Sequence, residues 1–282
     1  METIKTFVEK FEQFIHELKD NPYISVNEES VADNRELLEF RDNEARFEEV
    51  YNELKVNVPK EDWKYNDLGS LSLDWDAVTD QTDEEYLWGG FQLHTFSGAL
   101  ESPSDFWEIY NDSPRFWRNN PQPEAEAVWE TFLPKLNYIN GSGHGSDGTF
   151  GCILREEGVY PCPVYFYDSG IWFKMDLSLE EYYNTMLACK AVYYWQYFYV
   201  ATEEIVQKLG NFKPVFIEAD TKYLEGPHPF DDKFRDGTFT YSAEGVLHQM
   251  KNIIKRFPNL FPDMDLTYFK EKCDALEKAL KQ

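Results

Sequence analysis

Between Phe150 and Phe173 the chain reads FGCILREEGVYPCPVYFYDSGIWF. Short runs rich in aromatic and β-branched residues alternate here with Gly, Pro, Asp and Ser. Such runs between turn-forming residues are typical of β-strands. The runs Phe150–Leu154, Val164–Tyr167 and Ile171–Phe173 therefore predict consecutive strands of a meandering, largely antiparallel sheet.

The strand pattern extends toward the amino terminus. In Leu71–Trp75, apolar residues alternate with a serine and an aspartate. Phe91–Phe96 alternates in the same way, directly after Gly89 and Gly90. A period of two residues is the signature of a strand with one buried face. We therefore expect both segments to add strands to the sheet.

Helical periodicity precedes these strands. Apolar residues from Ile4 to Leu18 recur at i, i+3, i+4 and i+7, which is the pattern of one buried helix face. Asn21 and Pro22 are expected to end this helix. The same spacing from about Val31 to Leu54 predicts a second helix, with acidic residues on its solvated face.

Helical signals also follow the strands. Ser178 and Glu181 match the capping box, in which each residue satisfies a backbone N–H of the other. The aromatic-rich stretch from there to Leu209 predicts a helix, a break and a further helix. After an irregular region, two more helices are expected at about Ala243–Arg256 and Leu266–Leu280. The predicted fold class is α+β: a mostly antiparallel multi-stranded sheet packed against helices, with a helical C-terminal extension.

The aromatic content predicts a sizeable core. The 282 residues include 8 Trp, 18 Tyr and 22 Phe. Burying one such side chain removes roughly 150–250 Å² from water, so a core can form and intrinsic disorder is disfavoured. We expect Trp63, Trp75, Trp172 and Trp195 to be largely buried.

The chain is strongly acidic. Its 27 Lys and Arg stand against 52 Asp and Glu, which gives a formal net charge of −25. Binding to phosphate groups needs clustered basic side chains, so nucleic acid and anionic membrane surfaces are disfavoured as partners. The segment from Glu244 onward is close to neutral, with 7 Lys and Arg and 6 Asp and Glu. The acidic character therefore belongs to the residues before it.

Sequence signals favour a cytoplasmic protein. No run approaches the ~18 apolar residues of a membrane-spanning helix. Met1–Lys5 leads into an acidic periodic helix rather than an apolar signal sequence. The cysteines lack CxxC spacing and are too sparse for a disulfide scaffold, so we expect reduced thiols. These cysteines are Cys152, Cys162, Cys189 and Cys273. The sequence does not fix the oligomeric state, and a monomer is the favoured expectation.

Motifs for cofactor or metal binding are weak. The segment Asn140–Thr149 is rich in glycine, but no Lys follows it and the next residues are strand-like. A tight turn with Asp147 in an Asx turn is therefore favoured over a phosphate-binding loop. His144 and Asp147 alone are too few ligands for a zinc or iron site. We expect neither a metal nor a cofactor.

Two catalytic interpretations remain open at this point. Cys152 and Cys162 lie near His144 in the sequence, and a Cys–His pair can form a thiolate nucleophile, although small buried core residues are the favoured interpretation of both cysteines. A carbohydrate-active hydrolase would place paired carboxylates among sugar-stacking tryptophans such as Trp88 or Trp107. No carboxylate in the sequence is distinguished as the acid or the nucleophile.

The strongest binding signal is an acidic run directly before two aromatic residues. Thr79–Glu85 contains four carboxylates and leads into Tyr86 and Trp88. Carboxylates can steer a basic partner, and the rings can fill a pocket on it. The alternative is that the carboxylates are only solvated and that Trp88 belongs to the core. With the loop around His144 on the same rim, the predicted partner-binding residues are Asp80, Asp83, Glu84, Glu85, Tyr86, Trp88, His144 and Asp147.

Several motifs, in order along the chain, resemble the SUKH superfamily. Val58–Trp75 reads VPKEDWKYNDLGSLSLDW, which is similar to the family's hydrophobic residue and proline, short helix, turn and strand ending in Trp. The Gly89–Gly90 strand resembles the next sheet element. Tyr165–Gly170 and Met175–Ser178 resemble the late strands and the start of the following helix. Tyr194–Phe198 is similar to a Trp-Gln ending found in some members.

The resemblance implies a rigid α+β binding module without enzymatic activity. It implies a SUKH-like domain at residues 1–205, with an irregular segment and helical extension at 206–282 packed on it. The superfamily includes fungal cell-wall-synthesis regulators and bacterial immunity proteins that neutralise a cognate toxin, often a nuclease or deaminase. Such toxins are basic, so an acidic inhibitor would associate with them quickly. The alternatives are an acidic carbohydrate-active hydrolase and a cytoplasmic scaffold or regulatory protein that binds peptides.

Overall fold

The computed structural model contains one antiparallel sheet in the part of the chain that it describes. That part comprises residues 4–29, 43–68, 71–78, 86–101, 132, 135–141, 149–168, 171–210 and 242–282. The strands are β1 (Ile24–Glu29), β2 (Ser72–Val78), β3 (Tyr86–Leu93), β4 (Leu136–Gly141), β5 (Thr149–Leu154), β6 (Val164–Asp168) and β7 (Ile171–Lys174). Their order in the sheet is their order in the chain, and the pairs from β3 to β7 are antiparallel. The predicted meander is confirmed.

Helices flank the strands at both ends of the chain. The α-helices in the described ranges are α1 (Ile4–Lys19), α2 (Asn43–Leu54), α3 (Phe96–Glu101), α4 (Leu179–Ala188), α5 (Thr202–Leu209), α6 (Ala243–Leu260) and α7 (Thr267–Leu280). Two 3-10 helices are η1 (Lys60–Leu68) and η2 (Trp195–Tyr199). The α+β class with a helical C-terminal extension is confirmed. Each of the described helices is too short or too polar to traverse a lipid bilayer.

The helix signals in the sequence are borne out at several boundaries. At the start of α4, Glu181 N–H donates to Ser178 Oγ at 3.2 Å and Ser178 N–H donates to Glu181 Oε2 at 2.7 Å, which is the predicted capping box. The last helix begins within one residue of its predicted start. The helix before it continues past its predicted end to Leu260. The helix predicted from Val31 is described only from residue 43 onward.

The described residues form two compact units, each assembled from three stretches of chain. Unit 1 comprises Met1–Gln13, Glu29–Leu73 and Phe91–Asn184, and unit 2 comprises Phe14–Glu28, Asp74–Gly90 and Thr185–Gln282. Each unit is therefore held together by contacts between residues that are distant in sequence.

In unit 1, helix α4 packs on one face of the sheet. Gly151 of β5 lies directly under Tyr182, and a side chain at position 151 would collide with the Tyr182 hydroxyl. Asn140 Nδ2 donates to the same hydroxyl at 3.0 Å. Phe166 and Phe173 are cross-strand partners next to Gly151 on that face, with ring centroids 6.0 Å apart. The face is thus closed by aromatic contacts between α4 and the strands.

In unit 2, the core forms around Trp75. Its side chain is fully buried, and its indole Nε1 donates to the Lys190 carbonyl at 2.9 Å. The ring meets Phe261 edge-on at a centroid distance of 6.2 Å. Phe198 of η2 meets Phe269 of α7 edge-on at 4.5 Å. These contacts join β2, the stretch after α4 and the C-terminal helices into one core.

The expected burial of four tryptophans is only half correct. Trp75 and Trp195 are fully buried, with exposures of 0% and 2%. Trp63 and Trp172 are partly buried. Trp63 lies on η1, where the Lys60 ammonium lies 5.0 Å from the ring centre, and Trp172 lies on the terminal strand β7. Trp63 also stacks on Phe47, at a centroid distance of 5.6 Å, so it still packs against the core although it is only partly buried.

Candidate functional site

Trp88 is the one predicted partner-binding residue whose side chain the structure describes. It lies on β3 and is partly exposed. Tyr86 is the first residue of the same strand, but its side chain is outside the described residues. The other predicted residues also lie outside the described ranges, so their proximity stays a prediction. These are Asp80, Asp83, Glu84, Glu85, His144 and Asp147.

The strand segment around Trp88 pairs with residues that follow α4 in the chain, within unit 2. Gly89 forms an antiparallel bridge with Val192. Gly90 N–H donates to the Ala191 carbonyl at 2.9 Å, and Tyr193 N–H donates to the Trp88 carbonyl at 3.1 Å. We call residues 189–194 the elbow. The backbone of the elbow is therefore fixed against β3 on both sides of Gly89.

The absence of a side chain at Gly89 permits this approach. A Cβ atom at this position would lie 2.5 Å from the Ala191 carbonyl oxygen and 2.6 Å from the Trp75 ring. Both distances are far inside van der Waals contact, and the carbonyl belongs to the backbone. Close approach of two chain segments is a common reason for glycine in a strand.

The pairing places Trp88 at one end of a row of ring contacts that continues through three tyrosines. The Trp88 and Tyr193 ring centroids are 6.1 Å apart, and those of Tyr193 and Tyr194 are 4.5 Å apart with an interplanar angle of 81°. Tyr197 lies 6.0 Å from Tyr194. We call Trp88, Tyr193, Tyr194 and Tyr197 the aromatic patch. Trp88 and Tyr194 are partly exposed, whereas Tyr193 and Tyr197 are buried, so the patch presents two rings on a packed base.

The elbow concentrates unfavourable backbone conformations. Lys190, Ala191 and Tyr194 have φ angles of 56°, 46° and 67°. A residue other than glycine in this left-handed region costs about 1–2 kcal/mol. Such conformations persist where the surrounding structure over-determines them, and they cluster at functional sites. These three backbone conformations therefore make the elbow a candidate functional segment.

Side-chain contacts hold the elbow in this conformation. The Lys190 ammonium pairs with Glu17 Oε2 at 2.8 Å. It also lies 5.9 Å from the Phe14 ring centre and 5.6 Å from that of Phe261. The backbone carbonyl of Lys190 accepts the hydrogen bond from the Trp75 indole described above. One lysine therefore ties the elbow to three other segments of unit 2.

A second cluster of polar groups lies in unit 1 and has a structural role. Lys64 Nζ donates to Glu180 Oε2 at 2.7 Å, and Tyr65 OH donates to the same oxygen at 3.2 Å. Tyr160 OH donates to Asp62 Oδ2 at 2.5 Å. The hydrogen bond from Lys64 holds the pKa of Glu180 below its ordinary value, and burial raises the pKa of Tyr65. Carboxylates paired in this way suit a structural link between η1 and its neighbours more than acid–base catalysis.

The cysteines behave as core residues. All four are buried and free of disulfides. Burial raises the pKa of the Cys162 and Cys189 thiols to about 12 and that of Cys273 to about 11, and it raises the pKa of Cys152 strongly. These thiols are therefore protonated at neutral pH, whereas nucleophilic cysteines have lowered pKa values. Within the described ranges, His, Cys, Asp and Glu side chains form no group of three or more able to hold a metal ion.

The sheet in unit 1 carries another aromatic surface that the sequence did not reveal. The register places Phe150 beside Tyr167 and Tyr167 beside Trp172 on the face opposite Gly151. Tyr138 stacks on Phe150 with ring centroids 5.4 Å apart. Tyr138, Phe150 and Trp172 are partly buried around a buried Tyr167. Register, which the sequence does not give, is what aligns these rings.

The chain matches no protein-family model, no curated protein and no solved structure. The resemblance to the SUKH superfamily thus stays a prediction that rests on the sequence motifs.

Proposed function

We propose that this protein is a non-enzymatic binding module that captures a basic protein, with the aromatic patch as its anchor. In line with the SUKH resemblance, the partner is a cognate toxin of the nuclease or deaminase type. Binding would cover the toxin's substrate site, where an acidic surface can take the place of nucleic-acid phosphates.

One observation carries the proposal: the partly exposed Trp88, which closely follows an acidic run in the chain, packs on the same buried tyrosine as the partly exposed Tyr194. Trp88 lies three residues after Glu85, the last carboxylate of that run. Tyr194 is added to it by the pairing of β3 with the elbow. Aromatic residues dominate binding energy at interfaces because they bury a large area with few rotatable bonds. Carboxylates around them accelerate encounter with a basic partner.

The chemistry of the other described clusters also favours binding over catalysis. Glu180 is ionised and occupied by Lys64, and Asp62 accepts from Tyr160. The thiol of Cys152 is fully buried. These groups lie in packed surroundings that suit stability. The aromatic patch therefore supports a binding module more strongly than these carboxylates and thiols support a hydrolase.

Inhibition of a neighbouring toxin tests the proposed function. A toxin encoded next to this gene would be purified, and its nuclease or deaminase activity measured while the full chain is added. Because a binding module acts by occupying the substrate site, we expect complete inhibition at an equimolar ratio. The variant Trp88→Ala should require a large excess, and Tyr23→Ala, an exposed tyrosine of the same unit, should inhibit like wild type. A toxin that stays fully active with excess wild-type protein contradicts the proposal.

A further inference from the structure

We infer that the elbow is a conformational switch of the candidate site: it opens as a local unit, and the charge of Lys190 keeps it closed. In the open form Tyr193 and Tyr194 separate from Trp88, so the aromatic patch exists only in the closed form. Regulation of the anchor in this way rests on the proposed function. Opening itself is a property of this chain alone and is measurable without a partner.

The backbone of the elbow favours opening. In the described part of the chain, four residues other than glycine have positive φ angles, and three of them lie in the elbow. These three are Lys190, Ala191 and Tyr194. The left-handed region is unfavourable for residues with a Cβ atom, so each of the three gains a better conformation when the elbow is released.

The position of the elbow lets it open by itself. Helix α4 ends at Ala188 and η2 begins at Trp195, so residues 189–194 lie between two helices. Hydrogen bonds donated by Gly90 N–H and Tyr193 N–H join the elbow to β3. When these bonds break, the elbow detaches from β3 while α4 and η2 stay folded. Proteins open in such local units at a lower free energy than global unfolding requires.

The Lys190 side chain opposes opening. Its ammonium pairs with Glu17 at 2.8 Å and lies 5.9 Å and 5.6 Å from the ring centres of Phe14 and Phe261. Val192 is fully buried, so apolar contacts also favour the closed form and keep it predominant. The contacts of the ammonium depend on charge, whereas the apolar contacts do not. The charge of Lys190 therefore sets how often the elbow opens.

Hydrogen exchange of single amides in the full chain, followed by NMR, tests the inference. The Gly90 and Tyr193 amides report on the elbow because their hydrogen bonds join it to β3. The amides of Gln249 and Met250, which are buried in the middle of α6, report on the rest of unit 2. In the wild type, we expect lower protection factors for the two elbow amides than for the two α6 amides, because local opening exposes only the elbow.

Removing the charge should increase opening. Lys190→Met keeps an unbranched apolar side chain and a residue other than glycine at this φ angle, so its main effect is loss of the ammonium. It should lower the protection factors of the Gly90 and Tyr193 amides about tenfold, as expected for a partly exposed ion pair and two cation–π contacts. Lys190→Arg retains the charge and should keep the wild-type protection.

Two control variants separate the switch from general destabilisation. Ile253→Val weakens α6, which stays folded when the elbow opens. It should lower the protection of the α6 amides severalfold and leave that of Gly90 and Tyr193 unchanged. Lys208→Met removes an ammonium that pairs with Glu204 at 2.8 Å within α5, and it should also leave the elbow amides unchanged.

Three results would overturn the switch. Equal protection of elbow and α6 amides in the wild type, or equal loss in Ile253→Val, would mean that the elbow opens only by global unfolding. Unchanged elbow protection in folded Lys190→Met would mean that its charge does not hold the elbow. Glu17→Gln removes the ion pair alone and should lower the same two protection factors by less, which decides the matter if Lys190→Met does not fold. These measurements involve no toxin, so the inhibition experiment judges the proposed function separately.

Discussion

Gly89 shows how a single missing side chain permits the candidate site to form. Replacing it with alanine puts a methyl group against the Ala191 carbonyl and the Trp75 ring, both of which are fixed by hydrogen bonds. We expect Gly89→Ala to lower the free energy of unfolding by about 2–3 kcal/mol, as overpacking of a tight site does. Urea unfolding followed by tryptophan fluorescence measures the change.

Gly141 provides the matched control because it also lies in a strand. A Cβ atom there would meet Gln92 and Phe150 at 3.8 Å, which is ordinary contact. Gly141→Ala should therefore change stability by less than about 1 kcal/mol. Equal losses of unfolding free energy from the two substitutions would mean that the close approach at Gly89 is not what destabilises the Gly89→Ala variant.

The Lys64–Glu180 pair predicts a pH-dependent contribution to stability. The Lys64 side chain is only 7% exposed, so Glu180→Gln leaves a buried ammonium without its counter-charge. We expect a loss of about 1–3 kcal/mol at neutral pH, since Glu180 itself is partly solvated. In Glu156→Gln the partner Lys135 is 48% exposed, and the loss should be below about 0.5 kcal/mol.

The sign of the pH effect follows from the pKa of Glu180. Its hydrogen bond from Lys64 lowers the pKa in the folded state, so its contribution is complete above the unfolded value of about 4.3. The contribution disappears as the pH falls through the folded pKa. Wild type and Glu180→Gln should therefore converge in stability in acid, as measured by urea unfolding at several pH values. A constant difference down to the lowest pH would contradict this account.

Helix α3 depends on a side chain supplied by another element. Asn66 of η1 is buried, and its Oδ1 accepts from Ser97 N–H at 3.0 Å and from Ser97 Oγ at 2.8 Å. The Ser97 N–H lies in the first turn of α3, where backbone donors lack partners within the helix. Asn66→Ala should cost about 2–3 kcal/mol of unfolding free energy, because it leaves buried donors unsatisfied.

Asn184 offers a comparison for Asn66 in the same unit. Its Oδ1 accepts from the Lys10 ammonium at 3.1 Å in a partly exposed position. Asn184→Ala should therefore cost less than about 1 kcal/mol, because water can replace the lost acceptor. Equal losses of unfolding free energy from the two substitutions in chemical denaturation would contradict a particular contribution of the Asn66 cap to stability.

Elements with a regular apolar pattern or clear turn signals could be predicted from the sequence, and elements without either could not. The strands β5, β6 and β7 and the helices α1, α6 and α7 have clear periodicity or turn signals. Leu136–Gly141 was missed because burial on both faces removes the alternation. The strand expected over Phe91–Phe96 ends at Leu93, and α3 begins at Phe96 with a cap that comes from η1. A remote cap leaves no local sequence signal.

Only one residue of the aromatic patch, Trp88, could be predicted from the sequence as part of the candidate site. Trp88 follows an acidic run, which the sequence displays directly. Tyr193 and Tyr194 join it through the bridge between Gly89 and Val192, a pairing of distant segments that no local pattern encodes. Their aromatic character was visible, but it equally suited a helix interior. The aromatic patch therefore depends on a long-range pairing between β3 and the elbow, which the sequence does not reveal.

If the protein captures a basic toxin as proposed, its net charge of −25 should control how quickly the two associate. Steering by charge acts over the Debye length, which shrinks from about 10 Å at 0.1 M salt to about 3 Å at 1 M. The association rate with the toxin should thus fall steeply with salt, while the dissociation rate changes less. Replacing Asp83, Glu84 and Glu85 together by serine should slow association at low salt by roughly tenfold.

The control for this triple variant removes the same charge elsewhere. Asp263→Ser, Glu271→Ser and Asp274→Ser change three exposed carboxylates in the nearly neutral C-terminal region. If steering is local to the acidic run, this second triple variant should associate at close to the wild-type rate, because opposite charges around it already cancel much of its field. Biolayer interferometry with the identified toxin at low and high salt gives both rates. Equal slowing by the two variants would mean that net charge alone steers the partner. A wild-type rate for the Asp83, Glu84 and Glu85 variant would mean that the contact lies elsewhere on the protein.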